Sequence, residues 1–290
     1  MKAFDLYEPK TVEEACTLLH KFKGKARVLA GGTDLLVEMK TGRMNPSAVI
    51  NLKKIEGLDK ISFSRDSGLR IGALATWTQI LDSKPISLNY PLLREAAHTM
   101  GSFQVRNVAT LGGNICHASP AANGAVPLLV YEAECIVQGP EKERSLPIEK
   151  MIVGVQRNGL KPGEILTEIR IPLPPPRTSG SYYKFSQRKA MDLAIVGVGT
   201  LIGTRKGAFE LVRIALGAVG PKAFRARRAE KALIGKPLED QSIREAADVA
   251  VEECSPITDI RASKEYRIEL VKELTFRAIK GNIINGGRAR

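Results

Sequence analysis

The chain has 290 residues and a formal net charge of +13, with 43% hydrophobic and 26% charged residues. This is the composition of an ordinary globular protein long enough for two domains, and no apolar run approaches the ~20 residues that a membrane helix needs. The opening MKAFDLYEPKTVEEACTLL lacks the basic-then-apolar layout of a secretory signal, so the expected location is cytoplasmic.

The first elements read as α/β. TVEEACTLLHKF spaces Val12, Ala15, Leu18 and Leu19 on one helical face, with Thr11 as N-cap and Glu14 placed for a capping box. ARVLAGGTDLLVEMK reads as strand, glycine turn and helix, and SAVINL as a short buried strand. LRIGALATWTQIL reads as strand, turn and helix start, and PLLREAAHTM as a helix with Pro91 in its first turn. AECIVQG and EILTEIRIPL are strand-like, and the prolines Pro174 to Pro176 that follow mark a domain boundary. Beyond them, SYYKFSQRKAMDLAIVGVGTLIG and LVRIALGAVG alternate as an antiparallel sheet does. AFRARRAEKALIG, SIREAADVAVEEC and SKEYRIELVKELTFRAIK read as helices, and the tail GNIINGGRAR as frayed. Strands followed by helices make this last part α+β.

The four cysteines, Cys16, Cys116, Cys135 and Cys254, form no C-x-x-C pair, and the three histidines, His20, His98 and His117, are scattered. Cys116 and His117 are adjacent, but neighbouring residues rarely ligate one metal together, so no metal site is expected in this chain. No nucleophile stands at a recognised spacing from a base, and no catalytic residue is assigned. From Arg205 to Arg228 seven basic residues face one acid, Glu210. Such a stretch could meet nucleic acid, an acidic protein or an anionic ligand, but aromatic residues make up only 5% and no nucleic-acid motif occurs, which favours a solvated surface.

Two glycine-rich stretches carry the chemistry. In LAGGTDLL, Leu29 to Leu36, two glycines stand where a strand ends and a helix begins, an arrangement that can cradle an anion on backbone amides or can be simply a tight turn. It is neither a P-loop nor a G-x-G-x-x-G fingerprint. GVGTLIG, Gly197 to Gly203, is one residue too long for that fingerprint and leads into a turn, so small residues on a packed strand explain it better than a nicotinamide site. ATLGGNICHASPAAN, Ala109 to Asn123, offers Thr110, Asn114, Ser119 and Asn123 among residues too small to block a ligand. On composition alone it is as readily a buried backbone crossing as a ligand site.

LAGGTDLLVEMK together with VRNVATLGGNICHASPAAN closely resembles the two flavin-contacting motifs of the FAD-binding medium subunits of the molybdenum hydroxylases, relatives of xanthine dehydrogenase and aerobic carbon monoxide dehydrogenase. LKPGEILTEIRIP, YYKFSQRKAMDLAIVGVG, ALGAVGPKAFRARRAE and DIRASKEYRIELVKELTFRA extend the resemblance, in order, over nearly the whole chain. It implies a non-Rossmann, two-subdomain FAD-binding fold of the PCMH type over residues 1–176, with an N-terminal subdomain of about 1–55 and a larger α/β middle one of about 56–176. A C-terminal α+β domain would occupy residues 177–290.

The resemblance also implies that Val28, Leu29, Ala30, Gly31, Gly32, Thr33, Asp34 and Leu35 wrap the FAD pyrophosphate, with the amides of Gly31 to Asp34 on its oxygens. Thr110, Gly113 and Asn114, with Ala109 beside them, would contact the pyrophosphate or the flavin side. Asn123 stands where the family often has Asp near the adenosine, Leu166 matches an apolar residue beside the adenine, and Lys184 matches a lysine close to the flavin. The alternative for Lys184 is a snorkelling surface lysine. Molybdopterin would sit on a large partner subunit and two [2Fe–2S] clusters on a small one, in a dimer of heterotrimers. The 4-hydroxybenzoyl-CoA reductase branch adds a cysteine-rich cluster-binding insertion that this chain lacks. The implied function is that of an electron-transfer subunit carrying electrons from those clusters through FAD to an external acceptor. A flavin-binding or assembly protein without its own turnover is the alternative.

Overall fold

A computed structural model describes residues 1–286, and residues 287–290, the end of the tail read as frayed, lie outside the described residues. The N-terminal unit comprises β1 (Asp5–Tyr7), α1 (Val12–Lys21), β2 (Ala26–Leu29), α2 (Leu35–Lys40) and β3 (Ala48–Asn51), and its parallel sheet runs β1-β3-β2. Thr11 caps α1 by accepting from the Glu14 amide at 3.1 Å, but the Glu14 carboxylate accepts from the Lys10 amide at 2.9 Å. The expected capping box therefore closes one residue before the cap. α1 buries Ala15 and Cys16 against Ala26, Ala48 and Ile50, which fixes the parallel pair β2–β3 behind the first glycine turn.

The middle unit begins with β4 (Ile61–Ser64) and β5 (Gly68–Gly72). Six short helices follow: α3 (Trp77–Asp82), α4 (Lys84–Asn89), α5 (Pro91–His98), α6 (Phe103–Arg106), α7 (Leu111–His117) and α8 (Ala125–Val130). β6 (Glu134–Gln138), β7 (Glu143–Pro147), α9 (Ile148–Met151), β8 (Ile152–Gly154), β9 (Arg157–Asn158) and β10 (Ile165–Ile171) complete it. Its sheet, β4-β5-β10-β6-β7, is antiparallel at every pairing. The middle unit is thus α+β rather than the α/β implied by resemblance, because its helices form one insertion between hairpins instead of crossovers between parallel strands.

The C-terminal unit is a second antiparallel sheet of β11 (Thr178–Phe185), β12 (Val196–Arg205), β13 (Ala208–Gly217) and β14 (Phe224–Arg225), followed by α10 (Arg227–Leu233), α11 (Asp240–Glu252) and α12 (Lys264–Gly286). The helix read over AFRARRAEKALIG starts only at Arg227, because Phe224 and Arg225 first pair with Leu216 and Ala215. Strand alternation gives this sheet two buried faces. Val196, Val198, Ile202, Ile214 and Leu216 pack with the helices α10 to α12. The opposite face presents Gly197, Gly199, Leu201, Ala215 and Gly217 to the middle unit, whose Val126 and Leu92 fill the space that side chains would take. GVGTLIG is therefore a packed strand, as its small residues suggest.

The helix α12 continues into the segment read as frayed, as far as Gly286. Asn282 is buried there and donates to the Thr200 hydroxyl at 2.7 Å, so tertiary contact overrides the glycine-rich composition. Arg267, on the same helix and only 3% exposed, donates to the carbonyls of Ile195 (2.6 Å) and Ala218 (3.1 Å) and to Asp259 Oδ1 (2.7 Å). No helix among the described residues is long and apolar enough to cross a membrane.

Burial alone would raise the Asp259 carboxyl, but bonds from the Arg261 and Ala262 amides and the Arg267 guanidinium outweigh it and hold the pKa at about 2 against an ordinary 3.8. A depressed carboxyl stabilises the fold above its unfolded pKa and loses that contribution as pH falls through the folded one. Asp259→Asn should lower stability at pH 7 by about 3 kcal/mol, because it strands the buried Arg267 cation. In urea melts across pH, the wild-type advantage over the variant should shrink between about pH 4 and pH 2. An advantage independent of pH over that range would contradict this assignment.

Candidate functional site

The first glycine turn leaves β2 at Leu29, opposite Asn51 of β3, and enters α2 at Leu35. Gly32 makes the bend at φ +80°, a left-handed conformation suited to glycine. Among the described residues no acceptor pairs with the amides of Gly31, Gly32, Thr33, Asp34 or Leu35. Helix starts leave such donors open, and here they lie at the end of a parallel strand pair. Asp34 is exposed and makes no side-chain cap bond, so its carboxylate does not close the helix start. Val28, Leu29 and Ala30 are apolar yet only half-buried.

The second turn is held differently. Its backbone lies along Ala73–Trp77: the Trp77 amide donates to Ala109 O (3.1 Å), the Leu111 amide to Ala75 O (3.0 Å) and the Gly112 amide to Ala73 O (3.0 Å). Thr110 caps α7, its hydroxyl accepting from the Gly113 amide at 3.0 Å and its carbonyl from the Asn114 amide at 3.0 Å. Asn114 Oδ1 accepts from the Gly124 amide at 3.1 Å. All the amides from Leu111 to Asn114 are therefore satisfied within the chain. What this turn can offer a ligand is the Thr110 amide, which no acceptor pairs with among the described residues, the Thr110 hydroxyl proton and the Asn114 side-chain NH2.

The two turns meet backbone to backbone. A Cβ on Gly31 would stand 2.1 Å from Val108 O and 2.9 Å from the Ala109 Cα, and one on Gly113 would stand 2.8 Å from Thr110 Oγ1 and 3.8 Å from the Ala30 Cβ. Asp34 Oδ1 and His117 Nε2 face each other at 4.0 Å. The structure thus brings Val28–Leu35 together with Ala109, Thr110, Gly113 and Asn114. Val108 and His117, which the sequence reading did not place at the site, lie in the same seam.

Asn123 and Lys184 converge on one residue that the sequence did not single out, Thr99. Asn123, 4% exposed, donates its amide to Thr99 Oγ1 (3.2 Å) and Ala96 O (3.4 Å), and the Ala96 carbonyl is an acceptor that an aspartate could not serve. Lys184 crosses from β11 to donate to Thr99 O (3.1 Å) and to Asp192 O (2.8 Å). It is a partly buried, anchored lysine and not a snorkelling one. Burial pulls its ammonium below the usual lysine range, and Asp192 acts against that shift. Beside it opens a cavity of about 270 Å3 lined by Thr99, Gln187, Arg188, Lys189 and Asp192. Leu166 stands apart from this chain of bonds. It is 3% exposed on β10 and packs in the core of the middle unit.

Much of the basic stretch is paired within the chain, while Arg205 and Lys206 stay exposed. Arg213 and Arg225 pair with Glu132 at 2.6 and 3.2 Å, Arg225 also pairs with Glu230, Arg227 reaches Glu149 at 2.6 Å, and Arg228 reaches Glu252. Glu132 and Glu149 belong to the middle unit, so much of this charge joins the two units. Among the described residues no group of three or more His, Cys, Asp or Glu could hold a metal ion.

Comparison with known proteins agrees with this arrangement. A family described as FAD binding domain in molybdopterin dehydrogenase matches residues 2–174, and one described as CO dehydrogenase flavoprotein C-terminal domain matches residues 181–281. The chain is 31% identical over 278 residues to the xanthine dehydrogenase FAD-binding subunit of Escherichia coli O157:H7, covering 96% of this chain and 95% of that protein. It is 31% identical over 276 residues to the carbon monoxide dehydrogenase medium chain of Hydrogenophaga pseudoflava, covering 95% and 96%. The solved carbon monoxide dehydrogenase from H. pseudoflava superposes with a TM-score of 0.94 over 98% of both chains at 31% identity. Quinoline 2-oxidoreductase from Pseudomonas putida 86 superposes at 0.93 over 99% of both at 28% identity. The chain belongs to the family of FAD-binding subunits of the molybdenum hydroxylases, the molybdopterin dehydrogenases.

Proposed function

We propose that this chain is the electron-transfer subunit of a multi-subunit molybdenum hydroxylase, working with a large molybdopterin subunit and a small subunit carrying [2Fe–2S] clusters. A dimer of such heterotrimers in the cytoplasm is the proposed assembly. The observation that carries the reading is the row of unpartnered amides at Gly31 to Leu35, pressed against a second turn whose amides from Leu111 to Asn114 are already satisfied. A dianionic pyrophosphate fits that row: the donors are fixed, and no side chain stands in front of them.

In this reading residues 1–176 form the FAD-binding domain and residues 177–290 a C-terminal domain that contributes Lys184. The amides of Gly31 to Leu35 hold phosphate oxygens. The Thr110 hydroxyl and the Asn114 NH2 donate from the facing turn, while Val28, Leu29 and Ala30 supply apolar cover and Ala109 and Gly113 leave room. Asn123 acts mainly by fixing Thr99, since its NH2 is given to the protein. Leu166 forms part of the apolar floor on the adenine side. Bound FAD supplies the redox chemistry that connects one-electron iron–sulfur donors with an external acceptor. The Lys184 ammonium holds positive charge on the flavin side, where it favours an anionic cofactor form.

The close approach at Gly31 gives a direct test. Gly31→Ala must push Val108 aside and should cost about 1–3 kcal/mol, with FAD affinity falling at least about tenfold. Thr33→Ala should lose only about 1 kcal/mol, because the Thr33 amide stays in place. Equilibrium dialysis of FAD against both variants, with circular dichroism as a control for folding, reads the difference. Equal affinities for wild type and Gly31→Ala would contradict the placement.

A second test concerns electron flow. The purified, FAD-loaded chain should stay oxidised when mixed anaerobically with aldehydes, purines or carbon monoxide, and should bleach when the small and large subunits are added with the complex's substrate. Bleaching by the chain alone at a turnover-like rate would make it a self-contained oxidoreductase. Failure to bleach in an assembled, substrate-turning complex would leave a flavin-binding or assembly role.

A further inference from the structure

The helix α8 joins two places that the fold otherwise keeps apart. At its start, the Gly124 amide donates to Asn114 Oδ1 (3.1 Å), and the preceding Asn123 ties the chain to Thr99. At its end, the last carbonyls are taken by arginines of the C-terminal sheet: Arg213 Nη1 donates to Val130 O at 3.1 Å and Arg225 Nη1 to Leu129 O at 3.4 Å. The next residue but one, Glu132, receives Arg213 Nη2 at 2.6 Å and Arg225 Nη1 at 3.2 Å. Between these ends Val126 lies where Cβ atoms on Gly199 and Gly217 would stand at 2.7 and 2.9 Å from its methyl carbons. α8 is therefore gripped along its length by the C-terminal unit while its first turn carries part of the candidate cofactor site.

Glu132 has a further peculiarity. Its φ is +56°, just past the end of a helix, where glycine or asparagine is the usual residue. A glutamate in that conformation is strained, and strain of this kind persists where the surrounding structure holds it. Here the carboxylate meets Arg213 and Arg225 of the other unit and, at 4.0 Å, Arg227; of these Arg225 is 3% exposed at its side chain and has Glu230 as a second partner. Arg213 has a side chain 17% exposed, and Glu132 is the carboxylate it pairs with. Arg213 can reach both Val130 O and Glu132 because its guanidinium is a rigid fork, which a lysine ammonium is not.

We infer that the Glu132–Arg213 pair is a positioning contact for the FAD site: it fixes α8 against the C-terminal sheet and so sets where Asn114, on one unit, and Lys184, on the other, stand relative to each other. The register supports the coupling. Lys184 lies across from Gly197, and Gly197 from Gly217, on the same face of the sheet that receives Val126. Neither Glu132 nor Arg213 touches the candidate site, so both act through α8. This inference rests on the proposed FAD site, and wild-type FAD binding is the control that keeps the two separate.

The test uses the full chain and measures FAD dissociation constants by dialysis alongside apo-protein melting temperatures for Glu132→Gly, Arg213→Met, the double variant and Arg213→Lys. Glu132→Gly removes the carboxylate while relieving the backbone strain, so it separates positioning from stability. The expected result is a tenfold loss of FAD affinity, about 1.4 kcal/mol, in each single variant, with no further loss in the double variant. Arg213→Lys should recover only part of it. The visible spectrum of bound FAD should shift in Glu132→Gly, because Lys184 moves relative to the flavin side. Wild-type FAD affinity and spectrum in Glu132→Gly and Arg213→Met, whatever happens to their melting temperatures, would overturn the inference. Absence of FAD binding in the wild type would instead defeat the underlying site.

Discussion

The contact on which the site depends is the approach of Gly31 to Val108 and Ala109. A single Cβ at Gly31 would overlap Val108 O at 2.1 Å, so the first turn can reach the second only as bare backbone. That approach joins a parallel α/β unit and an antiparallel α+β unit, whose Leu58, Leu74 and Ile165 also enter the N-terminal core. It also brings unlike partners together. One turn is an open row of donors, and the other is a closed structure stapled to Ala73–Trp77. The closed turn supplies the rigidity, and the open one supplies the binding capacity in the proposed reading.

From this seam a chain of hydrogen bonds runs outward. Thr110 caps α7, Asn114 of α7 holds Gly124, Asn123 holds Thr99, and Thr99 holds Lys184 on the C-terminal sheet. The links measure 3.0 to 3.2 Å and each is partly buried. The candidate site therefore spans three units of the fold, and their mutual placement matters as much as any single contact. Arg213, Arg225 and Arg227 reach carboxylates of the middle unit, whereas Arg228 pairs with Glu252 inside the C-terminal unit. The +13 net charge of the chain does not mark this stretch as a free cationic patch, since Glu132, Glu149, Glu230 and Glu252 meet it.

Local signals in the sequence carried much of the fold. Thr11 before an amphipathic run marked a helix start, Pro174 to Pro176 marked the entry to the last unit, and the small residues of GVGTLIG marked a strand buried on both faces. The two glycine turns were visible for the same reason, since bare backbone leaves a compositional trace. What long-range pairing decides was not legible. Which turn keeps its amides free depends on Ala73–Trp77, some 35 residues upstream of the second turn. Thr99 looks like any threonine after a helix until Asn123 and Lys184 reach it from either side. Asn282 is buried in a glycine-containing stretch of helix because its amide meets Thr200, a partner 82 positions away. Asp259, likewise, acquires its role from Arg267 and the buried carbonyls that arginine serves.

The central claim is that the first turn binds and the second is already satisfied, and amide hydrogen exchange reads it residue by residue. In the FAD-free chain the amides of Leu111 to Asn114 should already exchange slowly, and those of Gly31 to Leu35 quickly. Adding FAD should protect Gly31 to Leu35 strongly while changing Leu111 to Asn114 little. Unchanged exchange at Gly31 to Leu35 under saturating FAD, or protection gained mainly at Leu111 to Asn114, would contradict the account.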